Sequence, residues 1–192
     1  MADNTNKSDA LVSKILDGVD QFREKYPKLV VNESPSKSAT LESVLAALNE
    51  FMECVRYLNN RRSKGAILTL DNEAAVQDAL YLMLRPWISD LVPENPTDKI
   101  GNRYSIKDFL SKENRLVIEV KYIRNSDHGK SVVKELNDDI ETYRYHAYCD
   151  HLVFFIYDPD GNIPDSGSLA RHLTDARSYS GKVLNCYAVI RP

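Results

Sequence analysis

The sequence is poor in cysteine and has no long apolar run. Its three cysteines, Cys54, Cys149 and Cys186, form no Cys-x-x-Cys pair and no zinc-ligand spacing. This scarcity argues against a disulfide scaffold or a zinc finger and favours free thiols in a reducing compartment. The apolar runs, such as residues 152–156, are too short to cross a membrane. Residues 1–9 are polar and hold no apolar signal core, so we expect a cytoplasmic protein with no membrane association.

The charge of the chain is small in total but unevenly spread. Of its 192 residues, 43% are hydrophobic and 28% are charged, which is typical of a globular protein. The net charge is -3, yet residues 99–134 carry 9 basic and 4 acidic side chains, a local excess of +5. Such a segment is either a solvated face or a surface that binds a polyanion, because local potential matters more than the total charge.

The first third of the sequence predicts helices that carry no catalytic motif. Apolar residues recur at helical spacing over residues 11–22 and, more regularly, over residues 41–55. We therefore divide the chain into an N-terminal helical extension, residues 1–65, and a main domain, residues 66–192. The apolar stripes of the extension could pack on the main domain or on a second subunit.

The pattern in the main domain alternates between helical and strand periods. The predicted helices cover residues 71–84, 131–147 and 169–176, and the predicted strands cover residues 104–110, 115–123, 151–157 and 183–190. The first two strands form an antiparallel hairpin, and the apolar run at 151–157 indicates a central strand buried on both faces. This order of elements predicts an α/β fold in which a mixed sheet is flanked by helices.

Charged side chains converge on the predicted hairpin. Glu119 and Lys121 lie two residues apart and point to one face of the second strand, where they interrupt an apolar stretch. A charge in that setting is costly unless it is compensated, and side chains at this spacing splay apart, which argues against a simple ion pair. Asp108 lies on the partner strand and brings a second carboxylate nearby. Paired carboxylates suit Mg²⁺, which prefers oxygen ligands and completes its shell with water and phosphate.

A further acid precedes the hairpin, and together these residues resemble a known signature. Glu73 lies one turn before Gln77 on the helix at 71–84. An acid at this position either stabilises the helix through its interaction with the helix dipole or takes part in a functional site. Asp108, followed after ten residues by Glu119-Val120-Lys121, resembles the PD-(D/E)XK nuclease motif, and Glu73 matches the acid that many members carry upstream. Over residues 69–165 the sequence most resembles the MboI/DpnII-like branch of restriction endonucleases. The resemblance implies a restriction-endonuclease-like fold.

The resemblance also implies a role for each matched residue. Asp108 and Glu119, together with the main-chain carbonyl of Val120, would bind Mg²⁺, for which Mn²⁺ can substitute. Lys121 would act on the attacking water. Glu73 would support the metal shell or hold a second ion.

Positive side chains around the motif are candidates for binding DNA. They are Arg103, Lys107, Arg124, Lys130 and Lys134. Phosphate contacts of this kind position DNA without reading its sequence. In the family, the helix after the motif lies along the DNA and often supplies a further polar contact, for which Lys134 and Asn137 are the candidates. Base readout would then come from the loop at 124–130 or from the N-terminal helices.

These features predict a Mg²⁺-dependent endodeoxyribonuclease, and the resemblance implies that it acts in bacterial antiviral defence. Because one site cuts one strand, double-strand cleavage implies a homodimer. The alternative is a catalytically silent module of the same fold that binds DNA or, through its N-terminal helices, a partner protein in a larger assembly. An RNA substrate is a third hypothesis.

Overall fold

The centre of the fold is a mixed β-sheet. In the described residues its strands are β1 (Val92–Pro96), β2 (Ile106–Ser111), β3 (Leu116–Tyr122), β4 (His151–Tyr157), β5 (Asp175–Tyr179) and β6 (Lys182–Arg191). The computed structural model describes residues 39–60, 68–96, 106–179 and 181–192. The strands lie in the order β1-β2-β3-β4-β6-β5. Pairing is antiparallel from β1 to β3, parallel from β3 through β4 to β6, and antiparallel between β6 and β5.

Helices cover both faces of this sheet. Those in the described residues are α1 (Leu41–Asn49), α2 (Phe51–Asn59), α3 (Glu73–Leu84), α4 (Ser126–Tyr143) and α5 (Ser166–Leu173). Four of them begin after a side chain that accepts a hydrogen bond from the main-chain N–H three residues later; these caps are Thr40, Asn72, Asn125 and Asp165. The architecture confirms the predicted α/β fold. None of the helices in the described part of the chain is long and apolar enough to cross a bilayer.

One face of the sheet packs against α1, α2 and α3. The buried sheet residues of this cluster include Phe109, Ile118, Val120, Val153, Phe155 and Val189. The ring of Phe51 on α2 meets the ring of Phe155 edge to face, with centroids 4.9 Å apart. The compact unit runs from Ser38 to Pro192. Within this unit the apolar stripes of α1 and α2 are buried on the sheet, and the division of the chain at residue 65 stays a prediction.

The opposite face packs against α4 and α5. The buried sheet residues of this second cluster include Leu110, Val117, Leu152, Phe154, Ile156, Leu184 and Cys186. Alternate residues of β4 enter the two clusters, so this strand is buried on both faces, as its apolar run predicted. The resulting layers are helices, sheet and helices.

Several elements differ from the predicted ones. Glu50 separates α1 from α2, so residues 41–59 form two helices instead of one. α4 begins at Ser126 rather than at residue 131, and most of the predicted loop at 124–130 is its first turn. The edge strands β1 and β5 were not predicted, because β1 contains prolines and β5 contains charged residues. The predicted helix at 11–22 lies outside the described residues.

Gly129 lets the start of α4 approach the segment that follows β4. A Cβ atom at this position would come within 2.3 Å of the carbonyl oxygen of Asn162. Glycine permits this close approach of two backbones because it has no side chain. The first turns of α4 are therefore held against the connection between β4 and α5.

The shared core predicts a large loss of stability when Phe51 is truncated. The ring is fully buried between α2 and β4, so Phe51→Ala should lower the free energy of unfolding by about 3–5 kcal/mol. Tyr57→Ala, on the same helix but 75% exposed, is the matched control and should change that free energy by less than about 0.5 kcal/mol. Chemical denaturation followed by circular dichroism measures both. A loss below about 1 kcal/mol for Phe51→Ala would contradict the packing of α2 on the sheet.

Candidate active site

Asp108 lies on β2 opposite the charged part of β3. The register pairs Phe109 with Ile118, and one step further along the antiparallel ladder places Asp108 across from Glu119. The Oδ2 atom of Asp108 accepts a hydrogen bond from the main-chain N–H of Val120 at 2.6 Å. The hairpin therefore brings the two carboxylates to neighbouring positions on adjacent strands.

Glu73, the first residue of α3, reaches the same edge of β3. Its Oε2 atom accepts a hydrogen bond from the main-chain N–H of Tyr122 at 3.3 Å. The N–H groups of Val120 and Tyr122 point to one edge of the strand because they are two residues apart. Gln77, one turn further along α3, lies close to Asp108 and acts to lower the pKa of that carboxyl group. The carboxylates of Asp108 and Glu73 thus accept hydrogen bonds from two N–H groups on the same edge of β3. Both groups lie beyond the residues of β3 that pair with β2.

Glu119 is a carboxylate in the interior of the protein. The residue is 3% exposed and lies between β3 and α4. The hydroxyl of Tyr143 on α4 donates a hydrogen bond to its Oε1 atom at 2.6 Å. The Oε2 atom is buried and has no hydrogen-bond partner in the described residues. One oxygen of the carboxylate is therefore fixed by α4, and the other is left available for a ligand.

Lys121 is held by α4 rather than by its neighbour on the strand. Its Nζ atom lies 3.1 Å from Oδ2 of Asp139, and the two side chains are 17% and 21% exposed. Asp139 precedes Tyr143 by one helical turn, so both point toward β3 from the same face of α4. The expected divergence of Glu119 and Lys121 agrees with their separate partners on this helix.

Burial and neighbouring negative charges disfavour ionisation of both carboxylates. Burial raises the pKa of Glu119, and the carboxylates of Asp108 and Asp139 raise it further. Burial likewise raises the pKa of Asp108, and the charge of Glu73 adds to the shift. Burial alone would lower the pKa of Lys121, but Asp139 and Glu119 outweigh it and raise that pKa overall. The site therefore keeps a charged lysine among carboxylates whose negative charge is costly without a cation.

The oxygen atoms of this site suit a hard divalent cation. The unpartnered Oε2 of Glu119 and the carboxylate of Asp108 are oxygen ligands of the kind that Mg²⁺ prefers. The carbonyl of Val120 points to the same edge as its N–H, which is bound to Asp108. In the residues that the structure describes, no three acidic, histidine or cysteine side chains converge to hold a metal ion. The protein would thus supply one or two carboxylates, and water and phosphate would complete the shell.

Three of the predicted DNA-binding residues have exposed side chains, and one of them, Arg124, lies beside this site. Arg124 follows β3 and lines a cleft of about 420 Å³ together with Glu73 and Tyr122. Lys130 and Lys134 are exposed and lie one turn apart on α4. The cleft therefore combines an acidic wall with a positive side chain, and α4 adds a pair of lysines.

The other members of the basic segment are placed differently. Arg103 lies outside the described residues, and for Lys107 the structure describes the backbone in β2 but not the side chain. Lys112 and Arg115 lie in the turn at the other end of the hairpin. Arg115 forms an ion pair with Asp150, so its charge is engaged at a distance from Asp108 and Glu119.

Gln77, Asp139 and Tyr143 contact the predicted site residues but were not predicted to belong to the site. Tyr143 lies in the apolar stripe of α4, and a buried tyrosine hydroxyl that needs a partner was the available signal. Asp139, one turn earlier beside the same stripe, was a second signal. The candidates predicted on this helix, Lys134 and Asn137, are exposed.

The raised pKa values predict how stability depends on pH. A carboxyl group with a higher pKa in the folded state stabilises the fold at acidic pH, and this contribution is lost as pH rises through the folded pKa. For Glu119, whose pKa rises from 4.5 to about 8, the loss should occur across that interval when no metal is present. Glu119→Gln removes the charge and keeps the shape, so it should be more stable than the wild type at pH 8.5 by about 2 kcal/mol or more.

Thermal unfolding in EDTA between about pH 4.5 and pH 8.5 measures this difference. Glu113→Gln, which changes an exposed glutamate in the turn of the hairpin, is the matched control and should follow the wild type. Parallel curves for the wild type and Glu119→Gln across the whole pH range would contradict the burial of an ionisable group at this position.

Comparison with known proteins agrees with this geometry. The DpnII-MboI family model, described as REase_DpnII-MboI, matches residues 42–192. Among curated proteins and among solved structures, nothing matches. The matched range contains the whole described sheet and the four predicted residues Glu73, Asp108, Glu119 and Lys121, and it extends the predicted resemblance at both ends. The chain belongs to the DpnII-MboI family of restriction endonucleases.

Proposed function

We propose that the chain is a divalent-metal-dependent endodeoxyribonuclease whose catalytic residues are Asp108, Glu119 and Lys121. Family membership supports a DNA endonuclease role in restriction. The observation that carries the finer assignment is the Oε2 atom of Glu119, which is buried without a hydrogen-bond partner in the described residues. A cation removes the cost of such an oxygen. We infer Mg²⁺, with Mn²⁺ as a substitute, because the available ligands are oxygen atoms.

Each residue of the site has a separate task in phosphodiester hydrolysis. A divalent cation supplies charge neutralisation at the scissile phosphate and lowers the pKa of the attacking water when it is bound. Asp108 and Glu119 would hold the cation, with the carbonyl of Val120 as a further ligand. Lys121, fixed by Asp139, orients the attacking water. Its ammonium group also donates a hydrogen bond to the phosphate oxygens and so stabilises the negative charge that develops on them. In-line attack of the water on phosphorus forms a new P–O bond as the bond to the leaving-group oxygen breaks; the water gives up a proton to solvent, and the leaving oxygen takes one up from solvent.

Glu73 supports this arrangement from α3. Its carboxylate binds the N–H of Tyr122, and its charge acts on both Asp108 and Lys121. From there it can orient water of the metal shell or hold a second ion. Polar side chains from α3, β2 and β3 meet beside β3, where its pairing with β2 ends, which favours an active enzyme over the catalytically silent module of the same fold.

The surroundings of the site favour a polyanionic substrate. Arg124 in the cleft and the exposed pair Lys130 and Lys134 on α4 offer phosphate contacts. Because one such site cuts one strand, we infer a homodimer for double-strand cleavage. The setting that follows from a restriction enzyme is bacterial antiviral defence. A partner protein bound through the N-terminal helices belongs to the silent-module alternative.

Loss of the site should abolish cleavage without unfolding the protein. With plasmid DNA and Mg²⁺, Asp108→Ala removes a metal ligand and Lys121→Ala removes the ammonium group, so each should lower the cleavage rate at least about 100-fold. Lys112→Ala, at the other end of the hairpin, is the matched control and should cut like the wild type. EDTA should stop the wild-type reaction, and Mn²⁺ should restore it. Thermal unfolding of each variant checks the fold.

The same assay discriminates the alternatives. Metal-dependent cutting that persists in both variants would exclude this assignment of catalytic residues. No cutting by the wild type, together with no effect of Mg²⁺ on its Tm, would favour the silent module. Parallel reactions with single-stranded DNA and with RNA identify the substrate.

The lysines of α4 should contribute to DNA binding without regard to sequence. Removing one lysine that binds a phosphate lowers the slope of log affinity against log salt by about 1, so Lys130→Ala with Lys134→Ala should lower it by about 2. Fluorescence anisotropy in the Glu119→Gln background measures binding without cleavage. Lys112→Ala is again the control. An unchanged slope in the double variant would show that Lys130 and Lys134 do not contact the DNA phosphates.

A further inference from the structure

α4 brings two polar side chains against the two reactive residues of β3. Asp139 and Tyr143 lie one turn apart on the helix face that covers the sheet. Asp139 is partly buried, and besides Tyr143 the buried residues of this helix are Gly129, Val132, Leu136 and Ile140. Polar groups in so apolar an interface lower stability unless they are hydrogen-bonded or paired, and each of these two finds its partner in a reactive residue of β3.

Tyr143 acts on one oxygen of Glu119. The ring is fully buried, and its hydroxyl lies 2.6 Å from Oε1. Since the hydroxyl fixes Oε1, the carboxylate cannot rotate freely, and Oε2 stays buried without a partner in the described residues. The contact therefore selects which oxygen of Glu119 faces a ligand.

Asp139 acts on Lys121 in a similar way. The ion pair of 3.1 Å is largely shielded from solvent, and it holds the end of a long, flexible side chain. Without Asp139, the ammonium group would be free to turn toward the carboxylates of Glu119 or Glu73, whose charges also act on it. The pair therefore keeps Lys121 separate from the groups that would bind the cation.

We propose that Asp139 and Tyr143 are positioning residues with separate tasks: Tyr143 sets the affinity for the divalent cation through Glu119, and Asp139 sets the rate of the chemical step through Lys121. The inference rests on the proposed function, because both residues act through its catalytic groups. Support for metal-binding carboxylates by hydrogen-bonded neighbours is a general property of metal sites. Here one turn of one helix would serve the metal and the lysine independently.

Metal binding in the absence of DNA separates the two tasks. Mn²⁺ is titrated into the full chain by calorimetry. Tyr143→Phe keeps the ring and removes the hydroxyl, so the Kd for Mn²⁺ should rise about tenfold or more, whereas Asp139→Asn should change it less than about threefold. Tyr145→Phe, which alters a tyrosine that is 68% exposed, is the matched control and should leave the Kd unchanged.

Cleavage kinetics give the complementary pattern. At saturating Mg²⁺, Asp139→Asn should lower kcat about tenfold or more, while Tyr143→Phe should reach within about threefold of the wild-type kcat. Asp138→Asn removes the same charge from the exposed neighbouring position and should cut like the wild type. Asp139→Glu keeps the charge and should restore part of the rate that Asp139→Asn loses.

Other patterns overturn the inference. Equal losses of Mn²⁺ affinity and kcat in Tyr143→Phe and Asp139→Asn, with a lowered Tm, would make the two contacts merely structural. Glu119→Gln and Lys121→Ala are measured alongside them. If those two variants cut like the wild type, the proposed function itself fails. If they are inactive while Tyr143→Phe and Asp139→Asn behave like the wild type, this inference alone fails.

Discussion

Glu119 is a carboxylate at 3% exposure in a strand of the central sheet, and the surrounding elements are arranged around its charge. Burying such a group without a partner is among the most costly features a fold can contain. Tyr143 satisfies one oxygen, and Asp108 on the next strand adds a second negative charge instead of relieving the first. These buried negative charges lower the stability of the fold, and a cation placed among them would be strongly attracted. The stability of the two apolar clusters has to offset this cost.

The rest of the fold supplies the rigidity that this arrangement needs. β4 is buried on both faces and pairs in parallel with β3 and β6, so β3 has a fixed neighbour on one edge. On its other edge, pairing with β2 includes residues 116–118, and carboxylates accept from the next free amide groups. Glu73, Asp108 and Tyr143 all contact this part of β3, although they are far apart in sequence. The site therefore depends on the tertiary fold rather than on one local motif.

Local patterns were sufficient for much of this arrangement. The apolar run of β4 and the alternation in β3 predicted those strands because burial sets their pattern. The edge strand β1 escaped prediction, since prolines are tolerated where no neighbouring strand needs the N–H. Likewise the start of α4 contains Gly129, a residue typical of loops, although Asn125 caps the helix. The partner of Lys121 could not be read from sequence, because Asp139 reaches it only through packing of α4 on the sheet.

Gly129 fixes the position of the first turns of α4, and the rest of the helix extends from that contact. The glycine is pressed against the backbone at Asn162, while Asp139 and Tyr143 lie about 15 Å and about 21 Å further along the helix axis. A side chain at residue 129 would meet the backbone of Asn162, so the start of α4 or the connection after β4 would have to shift. The geometry of the proposed catalytic groups thus depends partly on a position that has no functional group.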